Sequence, residues 1–141
     1  MNSINNEEYF QIGEVSKKLG ITPRTIRYYE EFGLLDPPLR IENGIRLYSN
    51  EDIRRIKFIL KLKELGLTLK EMLELADIYN QHKQSLIIMP KLIEILDDHI
   101  DKIDSRIAKL ASLRNDIVEY RKRILAIIEE NKDNKENKTG G

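Results

Sequence analysis

At 141 residues and 16.6 kDa, with 34% charged and 6% aromatic residues, the chain is one small domain with or without an extended element, and a sizeable enzyme pocket is not expected. It contains no cysteine, which excludes disulfides, thiolate metal sites and sulfur-based redox sensing. Formal net charge is zero, yet residues 10–66 hold eleven Lys or Arg against eight Asp or Glu, so a basic surplus of three lies in the N-terminal half.

The polar start MNSINNEEY lacks the apolar core of a secretory signal, and residues 1–9 are expected to be flexible. No apolar run approaches membrane-spanning length, so a cytoplasmic protein with no membrane partner is expected. The segment IGEVSKKLG then predicts a short helix, with Val15 and Leu19 four residues apart and Gly20 able to close it in the left-handed conformation. In the following TPRTIRYYEEFG, Thr22 is a natural cap and Pro23 suits the first helical position, where its missing N–H would be unpaired anyway; Gly33 ends the helix.

Two short helices in this arrangement predict a helix-turn-helix. The second helix of that motif enters the DNA major groove with its N-terminal residues nearest the bases, which is where Arg24, Thr25, Arg27 and Tyr28 fall. Ile26 and Tyr29 lie on another face, suited to a core. An ordinary helical hairpin is the alternative for this segment taken alone.

Downstream, Asn43-Gly44 is the preferred pair for a two-residue hairpin turn and stands between Leu39-Arg40-Ile41 and Ile45-Arg46-Leu47-Tyr48, which alternate at the period of a strand. This predicts a wing with Arg40 and Arg46 on one solvent face near phosphates, and with Ile41, Ile45 and Leu47 turned to the helices. A solvated charged hairpin is the plainer alternative. Ser49 with Asp52, and Thr68 with Glu71, each have the spacing of a capping box and predict two more helices separated by Gly66. The basic residues Arg54, Arg55, Lys57, Lys61 and Lys63 are expected to be partly exposed, as on a solvated helix face.

From about Leu86 to Glu130 runs a different kind of helix. Met89, Leu96, Ile103, Leu110, Ile117 and Ile124 recur every seven residues, with Ile93, Ile100 and Ile107 four residues after the first three of them. Beyond Ile107 those partner positions become Arg114 and Arg121 while Leu113, Tyr120 and Ile127 appear one residue earlier, so the stripe steps sideways. A helix of this size would span on the order of 60 Å, more than a small domain can cover, so its stripe needs a second chain and predicts a homodimer. The seam assigned to it is Leu96, Ile100, Ile103, Ile107, Leu110, Ile117 and Ile124. The tail NKDNKENKTGG has nothing apolar to bury and is expected to be disordered.

No serine has a His or Lys partner at a suggestive spacing and no glycine-rich phosphate loop exists, so no enzyme activity and no cofactor are expected. His99 with Asp97, Asp101 and Asp104 has the spacing of one helical face; a solvated face is the commoner meaning of such a run than a cation site, and no metal is expected.

The stretches IGEVSKKLGITPRTIRYYEEFGLL and ENGIRLYSNEDIRRIKFILKLKELGLTLKEM closely resemble the MerR family of bacterial transcription regulators, from about Ile12 to Leu75 and more loosely through the long helix. The resemblance implies that the TIRYYE helix reads double-stranded promoter DNA and that the wing strand grips its backbone, roles that fall on Arg24, Thr25, Arg27, Tyr28, Arg46 and Tyr48. It also implies antiparallel pairing of the long helices, RNA polymerase as a partner at the promoter, and a dimer that bends and untwists an over-long promoter spacer. Members that sense metals or redox state use cysteines at the ends of the dimer helix, which this chain lacks, and the large drug-sensing members carry a further domain after it.

A small-molecule effector would then occupy an apolar space between the second helical hairpin and the partner's long helix, lined by Leu75, Ile78, Tyr79 and Met89, with mere packing of these residues as the alternative. The segment ADIYNQHK resembles members that control acyl and branched-chain catabolism, which implies an acyl-type ligand. The expected architecture is all-α with a small β wing: residues 10–81 a winged helix-turn-helix DNA-binding domain, 82–130 a dimerisation coiled-coil helix, and 131–141 the tail. An architectural or excisionase-like DNA binder without an effector, and a coiled-coil adaptor, are the readings of other classes.

Overall fold

The computed structural model describes residues 8–139. Two compact units divide the chain, one ending at Leu96 and the other beginning at Asp97.

In the first unit a short strand β1 (Tyr9–Phe10) leads into α1 (Ile12–Leu19) and α2 (Pro23–Glu31). The backbone N–H of Gln11 donates to the Glu14 carboxylate at the start of α1, and Gly20 closes that helix at φ 67°, the left-handed region that costs glycine nothing. The turn between the helices is tied by Ser16, whose hydroxyl donates to the Ile21 carbonyl. Thr22 caps α2 by accepting the Thr25 N–H at 3.1 Å, with Pro23 in the first turn as expected.

The wing consists of β2 (Leu39–Arg40) and β3 (Arg46–Ser49), with β3 central in a three-stranded antiparallel sheet ordered β1-β3-β2. Its turn differs from the two-residue form expected from Asn43-Gly44. Arg40 pairs with Arg46, and Ile41 N–H donates to the Ile45 carbonyl, so Glu42, Asn43 and Gly44 form a three-residue turn. Asn43 and Gly44 still supply the positive φ angles, 73° and 74°, but Glu42 joins the loop and the pairing shifts by one residue.

That register decides which side chains turn inward. Ile41 and Ile45, expected to face the helices, are exposed, while Tyr48 is fully buried. The pleat places Arg46 and Tyr48 on the same face, and the bulk of the tyrosine ring anchors that face to the core. Tyr9, expected within a flexible lead, pairs with Ser49 in β1; residues 1–7 of that lead lie outside the described residues.

Helices α3 (Asn50–Glu64) and α4 (Leu69–His82) both begin in the capping boxes read from the sequence: Ser49 with Asp52, and Thr68 with Glu71. Ile53, Ile56, Ile59 and Leu62 of α3 pack into one core with Val15, Ile26 and Leu35. Full burial of a side chain such as Ile26 or Ile56 stabilises by roughly 1.5–3 kcal/mol relative to exposure. A 3-10 turn (Ser85–Ile88) then leads into α5 (Met89–Thr139), where Pro90 sits in the first turn and forfeits no intrahelical bond.

The first turns of α5 belong to the first unit. Leu92 and Ile95 are buried in its core, and Leu96, assigned to the dimer seam, packs partly buried against the same core. The register of these first turns aims the apolar side chains at the chain's own core, so the first unit extends to Leu96.

In the second unit the helix continues to Thr139 and takes in most of the tail expected to be disordered. Once a helix is running, each added residue gains a hydrogen bond without a new nucleation cost, and Lys and Glu are good helix formers. Its last two residues lie outside the described residues.

Candidate nucleic-acid interface

Helix α2 is divided sharply by exposure. Ile26 and Tyr29 are 0% and 2% exposed, while Arg24, Arg27 and Tyr28 face outward and Thr25 is half-buried. The core-facing pair fixes the rotation of the helix, and the outward residues follow from its 3.6-residue period. Neither Arg24 nor Arg27 makes a hydrogen bond or ion pair among the described residues, so their guanidinium donors are free for a ligand. Tyr28 is 42% exposed, with its ring 4.5 Å from that of Phe32 in a tilted contact that limits its rotamers. The Thr25 hydroxyl lies 2.9 Å from that of Thr22. The outward residues of the sequence-predicted set are thus gathered on one face of α2.

The wing residues do not all behave as expected. Arg40 and Arg46 stand directly opposite each other, with Arg40 Nη1 donating to the Gly44 carbonyl at 3.2 Å. Arg46 reaches back to α2, where its Nε donates to Glu30 Oε2 at 3.1 Å. Tyr48, expected to grip the DNA backbone, has no exposed surface, and its hydroxyl donates to the other carboxylate oxygen of Glu30. Burial first, then this hydrogen bond, pushes the phenol well above its ordinary value of 10.0. Tyr48 therefore holds the wing against α2, with its hydroxyl committed to Glu30.

Glu30, which the sequence did not single out, is the residue that ties β3 to α2. Its position supplied a signal, for it falls four residues after Ile26 and one after Tyr29, on the apolar stripe of α2, where a carboxylate needs partners. Tyr29 is buried beside it, and its hydroxyl makes no hydrogen bond among the described residues; burial raises its pKa.

Farther along the first unit, Leu75, Tyr79 and Met89 line a cavity of about 410 Å³ together with Phe58, Met72 and Ile88. Ile78, grouped with them in the sequence reading, is instead partly buried against the core and is not part of the lining. The walls come from α3, α4, the 3-10 turn and the start of α5 of the same chain, with Leu34 from the loop after α2. Arg54 and Arg55 stand at the cavity, and Arg55 is held by Asp36 at 3.3 Å and lies 4.7 Å from the centre of the Tyr79 ring. Among the described residues no group of three or more His, Asp or Glu is placed to hold a metal ion, and no helix is long and apolar enough to cross a membrane.

In the second unit Ile100, Ile103, Ile107, Leu110, Ile117 and Ile124 are each between 41% and 65% exposed, an apolar stripe left uncovered among the described residues. A capped two-helix reader, a wing tied to it by a shared carboxylate, a second capped helical pair and a heptad helix follow in that order. Residues 10–77 match the family model described as MerR HTH family regulatory protein, and residues 53–120 match the model MerR, DNA binding. The HTH-type transcriptional regulator ZntR homolog of Haemophilus influenzae is 36% identical over 116 residues, covering 82% of this chain and 84% of that protein. The chain belongs to the MerR family.

Solved structures share the fold. The transcription regulator PbrR691 from Ralstonia metallidurans, in complex with lead(II), superposes with a TM-score of 0.64 at 27% identity, covering 80% of this chain and 86% of that one. EcmrR, in the EcmrR–DNA complex in EcmrR-RPo, superposes with a TM-score of 0.58 at 29% identity over 81% of this chain and 40% of that one. This MerR-family chain is accordingly a DNA-binding transcription regulator with a winged helix-turn-helix and a long C-terminal helix.

Proposed function

We propose that this regulator works in the cytoplasm as a homodimer on a promoter dyad, with one α2 in each of two successive major grooves and the wings on the flanking backbone. The observation that carries the reading is the division of α2: a face with buried Ile26 and Tyr29 beneath, and unpaired Arg24 and Arg27 with Tyr28 above, beside a hairpin bearing two opposed arginines. Arg24, Arg27, Thr25 and Tyr28 are the residues for base edges and nearby phosphates, since arginine is the commonest bidentate partner of guanine. Arg40 and Arg46 are assigned to phosphate.

A homodimer is supported by the exposed apolar stripe from Ile100 to Ile124, which in water favours a second copy. Two-fold symmetry then makes the two half-sites a dyad. Distortion of the promoter spacer, with RNA polymerase as the partner whose contacts realign, follows from the family; the elastic cost of such bending is roughly 1–6 kcal/mol. The apolar cavity at Leu75, Tyr79 and Met89 is assigned to a small-molecule effector that biases this distortion. Thiolate coordination has no part in it, because the chain has no cysteine.

A footprint of the purified protein on the DNA upstream of its own gene tests the reading. Protection of a dyad within a long promoter spacer is the expected result; binding without that arrangement supports an architectural role instead, and no binding an adaptor.

A further inference from the structure

Glu30 lies on the core-facing stripe of α2, its side chain only 10% exposed, and both of its carboxylate oxygens are committed to β3. One accepts the Tyr48 hydroxyl. The other accepts Nε of Arg46, the inner nitrogen of the guanidinium, so the two terminal amino groups keep their donors. Those amino groups make no other hydrogen bond among the described residues, and the Arg46 side chain remains 29% exposed. Directly across the hairpin stands Arg40, itself oriented by the Gly44 carbonyl.

Two cations opposed across an antiparallel pair repel. Glu30 offsets that repulsion from the inner side, which leaves the outer donors of both arginines available to one shared anion.

We infer that Glu30 is a positioning residue for DNA binding: by holding the inner nitrogen of Arg46, it aims the terminal donors at a backbone phosphate and locks the wing to the recognition helix as one reading unit. The inference rests on the DNA-binding function proposed above but concerns a residue that itself touches no DNA. It carries an unusual sign. A carboxylate beside a polyanion is electrostatically unfavourable, so a bystander Glu30 would bind DNA better once its charge was removed. A positioning Glu30 binds it worse.

The test uses the full chain and two labelled duplexes, one from the promoter upstream of its own gene and one of random sequence, with anisotropy titrations at several salt concentrations. Wild type binds both, the promoter more tightly. Glu30→Gln weakens both by about five- to tenfold and makes the log–log salt dependence shallower by about 0.9, the loss of one phosphate contact. In an Arg46→Ala background the same Glu30→Gln change has no further effect or slightly tightens binding, because its target has gone. A merely structural role would instead add its loss to that of Arg46→Ala.

Tyr48→Phe removes the second contact to Glu30 and leaves the salt dependence unchanged. Thermal melts confirm folding, and Glu30→Asp, which keeps the charge on a shorter arm, replaces Glu30→Gln if that variant is unfolded and weakens binding in the same direction. Unchanged or tighter binding by folded Glu30→Gln overturns the inference, as do additive losses in the double variant. Equal binding by wild type and Arg46→Ala overturns it too while DNA binding stands, and no binding by wild type refutes the DNA-binding function itself.

Discussion

Arg40 and Arg46 are direct partners across the wing hairpin, two like charges where the register could have set a favourable pair. Their stability effects are expected to differ. Arg40→Ala relieves a cross-strand repulsion worth a few tenths to about 1 kcal/mol and should leave the urea midpoint unchanged or raise it. Arg46→Ala strips the nearly buried Glu30 of its charged partner and should cost about 1–2 kcal/mol, since a hydrogen bond to a charged group is lost and the carboxylate is poorly hydrated. Parallel urea titrations of the two variants check this.

Arg27 stands exposed without an ion pair, one turn into the recognition helix. If it reads a base, Arg27→Ala weakens binding to the operator by about 1–3 kcal/mol and binding to random DNA far less. Equal losses on the two duplexes would remove it from base recognition and reassign it to the backbone.

The heptad stripe makes its own demand. Replacing Ile103 and Leu110 together with Asp places two charges where a partner helix would exclude water, at several kcal/mol without compensating bonds. The double variant should be monomeric in light scattering and lose operator binding, while the first unit keeps its near-native circular dichroism because neither residue touches its core. A double variant that still scatters as a dimer would refute the seam.

Alkaline pH reports on the buried phenols. Burial raises both phenols in the fold, Tyr48 well above the ordinary 10.0 and Tyr29 above it, whereas in the unfolded chain they ionise near that value. Above pH 10 the unfolded state therefore binds fewer protons than the native one, so stability present below that pH declines as pH rises through the folded values. Urea midpoints measured from pH 8 upward should fall past pH 10, and Tyr48→Phe and Tyr29→Phe should each flatten the decline.

Much of the local architecture was legible from short spacings. Thr22 capping α2, Ser49 with Asp52, Thr68 with Glu71 and Gly20 ending α1 all act over four residues or fewer, so their hydrogen bonds depend little on the remaining fold. The exposed faces of α2 followed from the helical period in the same way. Tyr48 was misjudged because an alternating strand does not state which of its two faces is buried; here the one-residue change of register at Glu42 and the packing against α2 decide it.

Leu96 illustrates the same limit. Its heptad position suits a partner helix, yet the way α5 begins after Ile88 turns Leu92, Ile95 and Leu96 toward the chain's own core. In the tail, composition favours disorder, while a helix already propagating from the preceding residues runs to Thr139.

By itself the sequence determined the order of elements, their caps, the basic face of the recognition helix, the heptad helix and the absence of sulfur chemistry, because each is written in identities and spacings over a turn or two. Only the tertiary structure decided that Glu30, 16 residues before Arg46 and 18 before Tyr48, binds both. A contact of that range exists only after the wing folds back on the helix, and no local spacing encodes the closure of that loop.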